Sequence, residues 1–126
     1  MATAAAGSPI TLMFGGNGHS RGNFGGVEKG DPGRVSVYWA VSKEKEIVDV
    51  KEFTKENLVQ DNGFSEESFA YPADLKVTAP PALQDKGNWQ TVHLPECMEK
   101  GRHMMVWVWN FDGANKYSTC FDVMIE

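Results

Sequence analysis

The sequence predicts an all-β protein, and three observations predict it. Short apolar or alternating runs recur, about seven of them, each bounded by Gly, Pro, Asn or Asp. Thirteen glycines and six prolines are spread through 126 residues, which favours turns over long helices. Only one segment carries helix start and stop signals. These describe a single domain over residues 1–126, an antiparallel β-sandwich of immunoglobulin or fibronectin-III type with one or two short surface helical turns. Residues 1–9 read as a flexible tail.

Taken in order, residues 10–14 form a short apolar run suited to an edge strand. Residues 15–26 are a glycine-dense loop. It lacks a closing Lys-Ser/Thr and a following helix pattern, so it is no phosphate cradle. Gly30-Asp31-Pro32-Gly33 is a turn. The run 34–41 then alternates, with Val35, Val37, Trp39 and Val41 on one face and Ser36, Tyr38 and Ala40 on the other. Another short strand is expected over 46–50. The helix candidate has Thr54 as N-cap and stops at Asn62-Gly63, with enough apolar content for one or two surface turns only. Phe64, Phe69 and Tyr71 lie in 64–71, 76–78 reads as a brief strand, and 80–87 as a rigid loop. Residues 89–94 alternate, Trp89, Thr91 and His93 opposing Gln90, Val92 and Leu94.

The strongest signal is a hairpin near the end of the chain. In 103–110 both faces are largely apolar, His103, Met105, Trp107 and Trp109 against Met104, Val106, Val108 and Asn110, so this strand is expected to be central. Residues 111–115 supply turn formers, and 117–125 point Tyr117, Thr119, Phe121, Val123 and Ile125 inward. The expected core between two sheets is Val35, Val37, Trp39, Val106, Val108, Phe121, Val123 and Ile125.

A net charge of −5 gives no electrostatic reason to expect nucleic acid or an anionic membrane as partner. No apolar run is long enough to span a bilayer. The first nine residues have no basic region followed by an apolar stretch, so they are not a signal peptide. Two locations stay open: extracellular, with a leader absent from this chain, or cytoplasmic if the protein is leaderless.

The stretch Asn115-Lys116-Tyr117-Ser118-Thr119-Cys120 resembles the last copper-site strand of the lytic polysaccharide monooxygenases, where an Asn or Gln precedes a Tyr by two residues and a Cys follows it by three. Leu94-Pro95-Glu96-Cys97, leading to Gly101-Arg102-His103, is similar to their approach to the penultimate strand. The resemblance covers residues 87–126. It implies a β-sandwich that oxidises a glycosidic C–H bond of chitin or cellulose with copper, oxygen or peroxide, and a reductant. Copper is held in that family by the amino group and imidazole of a chain-initial His, a second His, and an axial Tyr or Phe. By resemblance, Tyr117 is the axial residue and Asn115 the neighbouring amide. His19 is the candidate metal ligand, being the one His outside the last third of the chain. The chain starts with Met1, so that copper brace is incomplete as written. The resemblance and the outward parity of Cys120 imply a disulfide to Cys97, with two free thiols as the alternative.

His93 and His103 read as structural strand residues. Among the four tryptophans, Trp89 beside Asn88 is the candidate carbohydrate platform, since sugar rings stack apolar C–H faces on indoles. No catalytic triad is suggested, and Glu44, Glu46, Glu66 and Glu67 lie on solvated segments, against a glycosidase. Three functions follow: a polysaccharide-active or polysaccharide-binding protein, a non-catalytic lectin, or an immunoglobulin-like interaction domain.

Overall fold

The computed structural model describes residues 1–13, 22–24, 27–29, 34–63, 89–110 and 116–126. Their strands are β1 (Ala2–Ala4), β2 (Pro9–Met13), β3 (Gly22–Phe24), β4 (Val27–Lys29), β5 (Arg34–Trp39), β6 (Leu58–Gly63), β7 (Trp89–His93), β8 (Gly101–Asn110) and β9 (Lys116–Ile125). The protein is all-β. Five strands form one sheet in the order β1-β9-β8-β5-β6, and β2-β7 and β3-β4 form two-stranded pairs. All pairings are antiparallel except β1 with β9. β8 holds the central place that its two apolar faces demand.

One face of the large sheet carries Val37, Trp39, Met105, Val123 and Ile125, packed with Val92 and Leu94 and, at the margin, with Ile10 and Leu12 of β2. The opposite face carries Ala40, Met104, Val106 and Val108, covered by Ile47 with Tyr38 and Phe53 beside it. Val106 and Val108 are therefore buried as expected but on the other face, beneath the segment 41–57 rather than between two sheets. Phe121 is only half-buried, packed at the margin of this first core.

Other local expectations are corrected. Residues 2–4 are no flexible tail: Ala2 pairs with Val123 and Ala4 with Ile125, and Glu126 N–H donates to the Ala4 carbonyl. Residues 22–24 and 27–29 pair as a hairpin within and just beyond the glycine-rich stretch read as loop. The 46–50 strand is absent. Ile47 alone is buried there, and Asp49 starts a 3-10 turn (Val50–Glu52) with a complete capping box through Glu52.

The helix at 54 is absent too. Asn57 is buried and accepts from the Thr54 amide and hydroxyl while donating to the Glu52 carbonyl. This knot ends the turn, and from Leu58 the chain pairs with β5 instead. With few apolar residues to bury a helical face, edge pairing satisfies the backbone better. The expectations for 30–33, 64–71, 76–78 and 80–87 lie outside the described residues.

Candidate functional site

β8 and β9 place Trp109 opposite Tyr117 and Trp107 opposite Thr119. Side chains at directly opposed positions share a face, so Tyr117 lies against Trp109, ring centroids 5.7 Å apart and tilted 44°. Trp107 meets Trp109 at 6.4 Å. Burial grades the three: Trp109 is core at 3% exposure, Trp107 is half-buried, and Tyr117 is 47% exposed. Trp39 is also core. Among the described residues, the exposed ring of this end is thus a tyrosine seated on a buried tryptophan.

β7 starts towards the same end and runs away from it. Leu94 N–H bonds the Ser8 carbonyl, and Gly7 N–H the Pro95 carbonyl, close to where β1 meets Ile125. Thr91 accepts from Gln60, which stands level with Val37 and Trp107. Trp89 therefore begins β7 on the Trp109–Tyr117 side. Its side chain, with Asn88, Asn115 and His19, lies outside the described residues. The structure places Tyr117, Cys97 and Cys120 from the predicted set, and it does not bring the two cysteines together.

Both thiols are free and exposed. Cys97 precedes β8 near the Gly101–Ile125 end of the ladder, whereas Cys120 pairs with Val106. Five strand residues separate those levels, about 17 Å, and a disulfide needs Cα atoms within about 7 Å. Outward parity was right for Cys120; the missing information was its height along the strand.

His103 has no exposure, and both ring nitrogens are engaged, Nδ1 with the Ala40 carbonyl and Nε2 with the Glu99 carbonyl, each at 2.9 Å. Its structural reading holds. His93 is exposed on β7, paired with Pro9. Among the described residues no three His, Cys, Asp or Glu side chains converge as a metal site.

The strongest electrostatic cluster serves structure and was missed in the sequence. Arg102 bonds Glu46 at 2.6 Å, Asp122 at 2.9 Å and Glu44 at 3.2 Å. Glu44 also accepts the Arg102 amide, and this bond first, then the guanidinium, holds its carboxyl below the usual range. The carboxylates of Glu46, Glu44 and Asp122 raise the Arg102 guanidinium above its ordinary value. Glu44 and Glu46 gave no sequence signal because their partner lies more than fifty residues away. An open groove of about 360 Å³ lies nearby, lined by Trp39, Lys45, Ile47, Glu52 and Asn57 among others.

No protein-family model matches the chain, and no curated protein is significantly similar to it.

Proposed function

We propose that the protein is a glycan-binding β-sandwich of immunoglobulin or fibronectin-III type, its binding surface at the end where β8 leads into β9. The observation that carries this reading is the exposed Tyr117 ring supported by buried Trp109. A sugar's apolar C–H face stacks on such a ring, and a rigid support keeps the ordering cost of binding low. Trp89, the first residue of β7, and Asn88, which precedes it in sequence, are proposed as the second contact. Chitin- or cellulose-type polysaccharides are the ligand class, in keeping with the resemblance around residues 115–120. Two exposed free thiols fit a reducing compartment, so the cytoplasmic lectin form of this reading gains over the secreted one.

Copper would supply oxygen activation if bound, but the described residues do not fit a copper brace. His103 is committed to two carbonyls. Met1 precedes the Ala2–Val123 pair and so stands level with Asp122, about 17 Å along β9 from Tyr117. That leaves His19 with Tyr117, one imidazole and a phenol, too few strong donors for tight Cu(II) binding. Calorimetry with Cu(II) is expected to show weak binding or none. Tight binding that disappears in His19→Ala would restore the monooxygenase reading. The glycan reading is tested by retention on powdered chitin and cellulose, with loss expected in Tyr117→Ala and Trp89→Ala.

A further inference from the structure

We propose that residues 41–49 form a strap that opens and closes over the Met104–Val106 face of the sheet, with Arg102 as its latch. Both ends of the strap are fixed without help from Arg102. At one end the Ala40 amide donates to the Met104 carbonyl, and the Ala40 carbonyl meets His103 Nδ1. At the other, the capped turn that starts at Asp49 is held by Asn57, whose side chain donates to the Glu52 carbonyl, and by Phe53, stacked on Tyr38 at 4.6 Å. The Asn57 carbonyl in turn accepts the Trp39 amide. The two tethers are therefore neighbours at the end of β5, and the strap swings between them without separating β5 from β6 or β8.

Between the tethers little else holds it. Ile47 is its one buried side chain, and Val41 and Val48 face solvent. Among the described residues, the polar contacts of the strap with β8 all end on Arg102, apart from the Ile47 amide on the Met104 sulfur, a weak acceptor. The Lys43–Glu99 pair at 3.6 Å is exposed and contributes little. Arg102 offers its carbonyl to the Glu44 amide, its amide and Nε to the Glu44 carboxylate, and one terminal nitrogen to Glu46. Its other terminal nitrogen bonds Asp122 of β9, which keeps the guanidinium on the sheet while the strap moves. Glu44 closes the latch under strain: its φ of +58° lies in the left-handed region that residues with a Cβ rarely adopt. Such strain persists only while the surroundings hold it, so releasing the latch relieves it.

Opening has a definite consequence. Lifting Ile47 uncovers Met104 and the apolar face it shares with Ala40, Val106 and Val108. The open groove of about 360 Å³ lies between the strap, which lines it with Ser42, Lys45 and Ile47, and the turn, which lines it with Glu52, Thr54 and Asn57. Strap movement therefore sets the width of that groove. A segment with one buried anchor, tied down through one charged residue, opens at a far smaller free energy than the paired strands beneath it.

Amide hydrogen exchange of the full chain, followed by NMR, tests this. The Glu44 and Ile47 amides report on the strap, and those of Val106 and Trp107 on the sheet. In the wild type the strap amides are expected to exchange through their own opening, well ahead of the sheet. Arg102→Gln is expected to speed them about tenfold or more, the effect of losing bonds to a charged group. The double variant Glu44→Ala, Glu46→Ala cuts the latch from the strap side and leaves the Arg102–Asp122 pair in place. It is expected to speed the strap amides as much while Val106 and Trp107 keep their protection, and it decides the matter if Arg102→Gln fails to fold. Strap amides that exchange only in step with Val106 and Trp107, or that the double variant leaves unmoved, would overturn the proposal.

Discussion

Both nitrogens of His103 end on main-chain carbonyls, one at the end of β5 and one in the turn before β8, while its ring lies 5.3 Å from that of Trp39. Removing this side chain leaves a cavity, one buried carbonyl and one part-buried carbonyl without their ring partner. His103→Ala is expected to cost about 3 kcal/mol in urea unfolding, and a loss under about 1 kcal/mol would contradict the clamp. Glu44 makes a prediction with a sign. Its carboxyl is held below the ordinary value by the Arg102 amide and guanidinium. Its contribution to stability is therefore present above the unfolded carboxylate pKa of about 4.3 and lost as pH falls through the lower folded value. Glu44→Gln should flatten that part of the stability–pH curve; an unchanged acid limb would show that the contact contributes nothing. The cysteines were legible in facing but not in height, and thiol titration of the denatured, unreduced protein should now find both reactive.

At the scale of elements, apolar runs and alternation located β2, β5, β7, β8 and β9 to within two residues at either end. The failures share a cause. Residues 54–60 carry helix signals, yet Asn57 captures the Thr54 amide and β5 offers Leu58 and its successors a pairing edge. Residues 46–50 look like a strand, but one apolar anchor, Ile47, suffices to pin the segment over Met104 while Val48 and Val50 stay exposed. Both outcomes depend on a neighbour remote in sequence. β8 begins at Gly101 with φ +133°, where an added Cβ would meet Lys43 at 3.1 Å. Only glycine occupies that backbone region readily, so Gly101→Ala is expected to cost about 1–3 kcal/mol in thermal or chemical unfolding. A neutral result would mean that the strand start relaxes without loss.

At the scale of the whole molecule, the described residues are organised by one five-stranded sheet with a core on each face. Sequence alternation assigned Val106 and Val108 to the core correctly, but it could not say that the segment 41–57, rather than a second sheet, covers them. The partial cover also tempers Phe121: being half-buried, Phe121→Ala should cost about half the 3–5 kcal/mol typical of a core aromatic, whereas Met105→Ala, at no exposure, should cost about 2–5 kcal/mol. Equal losses would mean that β9 is covered along its whole length. Of the candidate site, Tyr117 was named by resemblance, but strand parity pointed it inward with Thr119, whereas both are exposed. Its support by Trp109 emerged only from the β8–β9 register.

That pair carries the central claim, that an exposed tyrosine on a buried tryptophan forms a sugar-binding platform. The most direct measurement compares retention of wild type and Tyr117→Ala on chitin and cellulose, with unfolding midpoints measured in parallel. The exposed position predicts a stability change of about 1 kcal/mol or less for this substitution, so binding and folding separate cleanly. The wild type should be retained on at least one of the two polysaccharides, and Tyr117→Ala should wash through while still folded. A wild type retained by neither, or a variant retained as well as the wild type, would contradict the account.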